Sequence, residues 1–470
     1  MRVAFRALDP RRALARMKDL ATGPQDRSPR ELWRRLLGDS STMLGAAVIL
    51  FVLGLGRTAL LTKNLELSEY KVLLIVPNLL YVIALLGRPE LRGPIYRFFP
   101  EFEKNEGKGY TETLLALGLL VAAGAISVLT LIIVLVAPWI GVTFYDDPEI
   151  GSLLRIFALP FFFMGFDGFA QGVLRCHGKF RWSIFPQVIG AVVSVGALWV
   201  YFSSNSNYEL RPITMIMAGG LAIGSILPVV LALKLSGLMM VSVWRAVRFP
   251  ILKGDLKRII WTTVQSTLVS YLKLGSDRAA LFVLGVFATS ADVVTFGLGL
   301  QLLVPFALLQ NNLQSVVSPE ITRRYARQDY QAIYRLLRVM LIGLTVIGLL
   351  AIVGWYFLGD WTIRLIADDR YLGATGVVNI QIIGSALMLI SLPFFPLALA
   401  MDRLGRRNLV VSIRIVYIFV AASVSCSAYT IAWALALGSL TTRIFNDLPL
   451  GMKLKKLATP GEGMPAGQDT

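Results

Sequence analysis

The sequence predicts an all-α integral membrane protein of about twelve transmembrane helices, and three observations predict it. Of 470 residues, 56% are hydrophobic and 16% charged, where a soluble chain carries about a quarter charged residues. The mean hydropathy is +0.66. Apolar runs of roughly 18 or more residues, long enough to cross a ~30 Å hydrocarbon core as helix, recur along the chain.

Taken in order, residues 1–41 form a basic, cytoplasmic segment. No apolar core follows its basic residues, so it does not read as a cleavable signal. Within it, "SPRELWRRLLG" carries a capping box, with Ser28 as N-cap, Pro29 at the first helical position and Glu31 three after the cap. Trp33, Leu36 and Leu37 share a face, which predicts a short helix lying on the inner leaflet. Spans follow at 42–62, 70–88, 113–136, 152–174, 182–202 and 212–233. Together, residues 42–233 make a first six-helix lobe, and 234–258 is a cytoplasmic linker. A second lobe, 259–448, holds spans at 259–287, 290–316, 337–358 and 374–400, with two more sharing 408–448 around a turn near Ser425 to Tyr429. Residues 449–470 are a cytoplasmic tail. Pro160 and Asp167 interrupt one span, and Pro393 and Pro396 another; membrane helices tolerate such breaks where neighbours satisfy the freed backbone groups.

Charge fixes the orientation, because Lys and Arg concentrate in cytoplasmic loops. With twelve spans and the N-terminus inside, the inner segments hold 35 basic residues, ten of them in 1–41. The outer loops hold Lys63, Lys71, Arg211, Arg364 and Arg370, plus Arg155 at a span edge, and carry the acidic runs "FYDDPE" and "IADDR". Both termini are therefore expected in the cytoplasm, in a multi-pass plasma (inner) membrane protein. The net charge of +17 follows from this topology signal and from attraction to anionic headgroups. Nucleic-acid binding needs a basic face on a soluble module, and none is visible.

Other chemistries find no foothold. Cys176 and Cys426 fall on opposite sides of the predicted bilayer, whereas a disulfide needs Cα atoms within about 7 Å. His177, the one histidine, and Cys176 are too few ligands for zinc, so no metal site and no cofactor are expected. Phosphate-cradling loops, HExxH and nucleophile elbows are absent from the sequence, so it does not read as an enzyme.

The chain repeats internally, a frequent sign of transporter architecture. Placing Arg57 on Arg278 pairs Ala59–Leu60 with Ala280–Leu281. Pro94 and Pro319, in the loops after spans 2 and 8, lie 225 residues apart, and Gly178 and Gly405, after spans 4 and 10, lie 227 apart. Each repeat starts inside and holds six spans, so the two lobes should be related by a pseudo-two-fold axis along the membrane normal.

Those landmarks carry a resemblance. The Pro-and-basic loops "RGPIYRFFPEFEKNEGKGY" and "VSPEITRRYARQDYQAIY", with the "GKFR" and "GRRN" loops, resemble the multidrug/oligosaccharidyl-lipid/polysaccharide (MOP) exporter superfamily. The stretch "DRAALFVLGVFATSADVVTFGLGLQLL" looks most like its polysaccharide flippases, with Asp277 at the acidic position of span 7 and Thr295-Phe296 where a tyrosine usually falls. The resemblance implies a V-shaped pair of helical bundles around a central cavity, working by alternating access.

Candidate site residues follow from charges in spans. Lys273, Asp277 and Arg278 sit near the middle of an apolar run, at about 2.5–3.5 kcal/mol each on insertion scales. Lys273 and Asp277 are i and i+4 and can pair. Arg278 points about 100° from Asp277, and its repeat partner Arg57 also lies in the outer half of its span. Two lobes thus present equivalent arginines, whose planar guanidinium suits a diphosphate. Alternatively, Lys273, Asp277 and Arg278 form one buried network locking the helix against its neighbours. Gln310 and Asn311 either line the inner half of the cavity or cap contacts between helices; Asp167 and Gln171 tie helices together or bind substrate, and Asp167 and Asp277 are the candidates for coupling an ion. Arg414 is expected to snorkel to the cytoplasmic interface.

The function that fits is flipping of a polyprenyl-diphosphate-linked oligosaccharide from the cytoplasmic to the outer leaflet, for polysaccharide export. The partners are then that lipid-linked oligosaccharide, membrane lipids and a polysaccharide polymerase or ligase complex, with the chain itself a monomer. A cation-coupled multidrug exporter of the same fold, or a non-transporting scaffold for glycan synthesis, are the alternatives.

Overall fold

The computed structural model describes residues 29–84, 88–105, 108–177, 179–205, 207–238, 243, 254–326, 328–401 and 403–459, and among them there is no β-strand. In the first half the helices are α1 (Pro29–Asn64), α2 (Leu67–Ala84), α3 (Arg92–Asn105), α4 (Lys108–Tyr145), α5 (Pro148–Met164), α6 (Asp167–Cys176), α7 (Phe180–Ser204) and α8 (Leu210–Ser236). In the second half they are α9 (Leu256–Phe287), α10 (Ser290–Leu302), α11 (Val304–Ala326), α12 (Tyr330–Ala367), α13 (Ala374–Ile390), α14 (Phe394–Ala400), α15 (Leu404–Val424) and α16 (Ala428–Thr442). A π-helical turn, Arg443–Asp447, leads into α17 (Leu448–Ala458).

Seven helical runs among the described residues are long and apolar enough to cross a membrane, and the α10–α11 pair, bent by 41°, makes an eighth. The remaining predicted spans fall on α2, α9, α13–α14 and α16. Val346, Leu349, Leu350, Val353 and Phe357 on α12 are all exposed. Their helical spacing makes an apolar stripe that faces outward, where a soluble protein would turn it to the core.

Breaks fall where backbone donors are missing. Pro305 follows the α10–α11 bend, and Ser391–Pro393 separates α13 from α14. Pro160, by contrast, is absorbed inside α5, and the break comes at Gly165–Phe166, just before Asp167. The turn expected near Ser425 to Tyr429 lies at Ser425–Ser427.

Helix lengths repeat along the chain. α4 and α12 are both 38 residues long, starting at Lys108 and Tyr330, and α5 and α13 are both 17, starting at Pro148 and Ala374. The halves differ after their second span: α3 is a separate helix, whereas its counterpart around Pro319 continues α11 without interruption.

Two expectations are corrected. The N-terminal surface helix does not exist as a separate element, because α1 runs unbroken from Pro29 through Asn64. Nothing between Leu37 and Leu44 stops it; Gly38 lowers helix propensity by only about 1 kcal/mol. Nor does Arg414 snorkel. It is buried, its stem lying on Gly438 of α16, where a Cβ would come within 2.4 Å of Arg414 Cγ. Ser28 and Gly178, and most of 234–258, fall outside the described residues.

The largest core centres on α2 to α8, around Phe98, Phe102, Phe157 and Phe169, all nearly inaccessible, and reaches across to Leu61 of α1, Ile259 of α9, Val294 of α10 and Ile363 of α12. Two smaller cores fill the second half. The halves meet along a seam, where α1, α2 and α3 pack on α9, α10, α11 and α12.

Candidate functional site

The seam carries polar groups at three levels. Midway, Asn78 and Tyr81 lie three residues apart on α2 and so share a face. Asn78 is buried; its amide donates to the Leu74 carbonyl, and its Oδ1 accepts from Arg278 Nη1 of α9. The Arg278 guanidinium lies over the Tyr81 ring, 4.6 Å from the centroid. From α1, half-buried Arg57 interacts electrostatically with Tyr70 and with the same Tyr81. Tyr70 is buried, and Thr58 of α1 donates to the Gly54 carbonyl at 3.0 Å.

One guanidinium of the second half thus stacks on an aromatic ring of the first, and Arg57 of α1 lies within electrostatic reach of the same tyrosine. Cations over a ring face are stabilised by about 0.5–2 kcal/mol, which offsets part of the cost of holding charge at this depth. Arg278 uses one nitrogen on Asn78 and leaves further N–H groups of its fork for a ligand.

At the end of the seam facing the basic loops, Thr267 Oγ1 of α9 accepts from the Glu90 backbone N–H at 2.9 Å, and Tyr271 donates to the Arg88 carbonyl. Arg92 grips Glu90 bidentately, Nε–Oε1 at 2.7 Å and Nη2–Oε2 at 2.9 Å, and donates to Gln171 Oε1 at 3.3 Å. Burial alone would raise the Glu90 carboxyl; hydrogen bonds and charge from Arg92, with Arg88 adding, outweigh it and hold the carboxyl below its usual range. Asp167 at the head of α6 lies in the field of Arg88, Arg92 and Glu90. At the opposite end, Thr62 donates to the Ile366 carbonyl at 3.1 Å and Arg370 donates to the Thr62 carbonyl at 3.2 Å. The seam is bridged at both ends.

Of the expected site residues, Arg278 contacts Asn78 and Tyr81 on the seam, and Arg57 lies within electrostatic reach of Tyr81. The side chains of Lys273, Asp277 and Asn311 lie outside the described residues, and Gln310 is half-buried on α11. Asp167 and Gln171 belong to the Glu90–Arg92 cluster rather than to the midway level. Cys176 and Cys426 form no disulfide among the described residues, and His177 bonds the Val173 carbonyl at 2.9 Å. No metal-binding cluster occurs among the described residues.

Sequence reasoning missed Tyr81 and Asn78. Asn78 had a signal, an amide beside Pro77 in an otherwise apolar run. Tyr81 had none, since an aromatic residue in a span reads as packing. Also missed was a buried charge cluster in the second half, where Asp447 lies 3.8 Å from Arg407 Nη1 and 3.9 Å from Arg443 Nη1.

A family model described as lipid II flippase MurJ matches residues 59–401. No curated protein matches the sequence. Among solved structures, the inward-facing conformation of a multidrug resistance MATE family transporter of the MOP superfamily superposes with a TM-score of 0.65 at 13% identity, over 90% of this chain and 99% of that one. The inward closed conformation of lipid II flippase MurJ gives 0.62 at 13% identity, over 88% and 89%. A MOP superfamily transporter from Pyrococcus furiosus gives 0.62 at 12%, over 93% and 100%. At such identities these likenesses show the fold. The superfamily is the one expected; the polysaccharide branch within it is not singled out.

Proposed function

Because the chain belongs to the lipid II flippase MurJ family, we propose that it flips a polyprenyl-diphosphate-linked glycan across the membrane, with the diphosphate held between Arg57 and Arg278. The stacking of Arg278 on Tyr81, with Arg57 of the other half within electrostatic reach of the same tyrosine, carries the proposal. A diphosphate offers acceptor oxygens in several directions, and two planar forks on opposite sides of a seam match it better than point charges do. Because the arginines ride on different halves, rocking the halves would carry the site from one side to the other. Lipid II is the first substrate to test, since it names the family, and an oligosaccharide precursor of polysaccharide export is the second. The chain works, on this proposal, as a monomer in the plasma membrane with both termini cytoplasmic, beside the polymerase or ligase that uses the glycan.

In proteoliposomes carrying a fluorescent polyprenyl-diphosphate glycan, Arg57→Ala or Arg278→Ala should weaken uptake by about 10- to 100-fold, the worth of a charge-assisted hydrogen bond. Arg→Lys should restore part of it. If both alanine variants insert, fold and transport normally, the arginines are not the diphosphate site. If organic cations are moved instead, the drug-exporter alternative takes its place.

A further inference from the structure

A groove of about 530 Å³ runs between α1 and α7, apart from the seam. Gly56, Leu60, Lys63 and Asn64 line one wall, and Gly196 and Trp199 are on the other. Arg57 does not line the groove; its direction lies about 90° from the mean direction of the lining residues of α1, with Asn64 at the edge nearest it.

The glycines open it. A Cβ on Gly196 would meet nothing within 4 Å, and one on Gly56 would reach only Val195 Cγ1, at 4.0 Å. From Gly56 to Asn64 the helix rises about 12 Å, close to the ~15 Å depth of one leaflet's hydrocarbon. Trp199 is 62% exposed, the placement of an interfacial aromatic. At the mouth, in the last turn of α1, stands Lys63, exposed and making no ion pair or hydrogen bond among the described residues. Asn64 is beside it, with one amide hydrogen on the Leu60 carbonyl at 2.8 Å and the other available. An apolar trough one leaflet deep, ending in a cation and an amide donor, has the charge pattern of a lipid with a negative headgroup.

We propose that the α1–α7 groove is a binding site for one anionic glycerophospholipid of the leaflet nearest Lys63, with an acyl chain along Gly56 and Gly196 and the phosphate on Lys63 and Asn64. The occupant is a resident membrane lipid and does not depend on what the protein transports.

The test uses the full chain in nanodiscs doped with a phosphatidylglycerol, or a phosphatidylcholine, bearing a photoactivatable diazirine in its acyl chain, with labelled peptides mapped by mass spectrometry. Peptides spanning 56–64 and 195–199 should label about fivefold more with phosphatidylglycerol, the preference one lysine near the headgroups adds. Lys63→Glu should abolish that excess. Gly196→Leu should suppress groove labelling by either lipid while leaving other lipid-facing peptides unchanged; should that variant not fold, Ala59→Trp fills the trough from the other wall. Equal labelling by the two lipids, or groove labelling that survives the filling variant, overturns the proposal.

Discussion

Tyr81 is the residue on which Arg278 stacks, and its aromatic face and hydroxyl can be separated. Tyr81→Phe keeps the ring beneath Arg278, 4.6 Å away, and should transport near normally. Tyr81→Ala removes a cation–π contact of about 0.5–2 kcal/mol. Substrate affinity, measured by titrating the fluorescent lipid, should then fall several-fold. Equal loss in both variants would show that the hydroxyl, not the ring, is what matters. Asp447 makes a second residue-scale case, because it is fully buried between Arg407 and Arg443. Asp447→Ala leaves two guanidinium groups without their carboxylate and should cost about 3 kcal/mol, the low end for a broken buried pair. A thermal shift in detergent measures it, and adding Arg407→Met should recover much of the loss. Arg57 and Arg278 stand out in the sequence because charge inside an apolar run is costly enough to demand a reason. Asp447, near the end of the last span, reads as an ordinary interfacial acid. Arg414 was misread for a related reason: what buries it is Gly438, 24 residues away on another helix.

Between helices, contact is set by small residues that sequence periodicity does not reveal. Gly190 of α7 faces α8 so closely that a Cβ would come 2.2 Å from the Gly220 carbonyl oxygen and 3.0 Å from the Gly224 nitrogen. Both are backbone atoms and cannot swing aside, so Gly190→Ala must push the helices apart, at about 1–3 kcal/mol. Gly196→Ala, under two turns along the same helix, meets open space and should leave thermal stability unchanged. Comparable shifts in the two variants would refute close α7–α8 packing. The spans themselves were legible from hydropathy, since length and apolar composition suffice. Their breaks were only partly so. Proline marked the α13–α14 break, yet Pro160 stays inside α5 because a break depends on whether neighbours accept the freed carbonyl. The unbroken α1 was unreadable for a different reason: a polar stretch such as "GDSST" supports helix or turn equally until something packs against it.

For the whole molecule, orientation and motion are separate questions. Cysteines replacing Asp146, Asn205 and Asp368 should react with an impermeant maleimide on intact cells, and those replacing Lys179 and Gln328 should not. Reversed labelling would invert the proposed topology. The repeat shows in the sequence because three landmarks agree on an offset of 221–227 residues, and helix starts and lengths fall in the same range: α4 with α12, α5 with α13. The seam was not legible, since it joins residues such as Thr62 and Ile366, 304 apart in the chain. Its contacts define the motion that transport requires. Both ends are bridged, by Glu90–Thr267 and Arg88–Tyr271 at one and by Thr62–Ile366 and Arg370–Thr62 at the other. A substrate the size of a lipid-linked glycan cannot reach Arg57 and Arg278 unless one end opens, so the bridges must break in turn. At the basic end a Cβ on Gly93 would lie 2.9 Å from Ser266 Cβ, inside the ~3.8 Å of a disulfide, so cysteines at those two positions couple once α3 and α9 ease apart by about 1 Å. In a background lacking Cys176 and Cys426, Gly93→Cys with Ser266→Cys should cross-link on oxidation and stop transport. A reductant should restore transport, and either single variant should remain active. Cross-linked protein that still transports at the uncoupled rate would mean the halves do not part between α3 and α9, and the path to the arginines would have to open elsewhere.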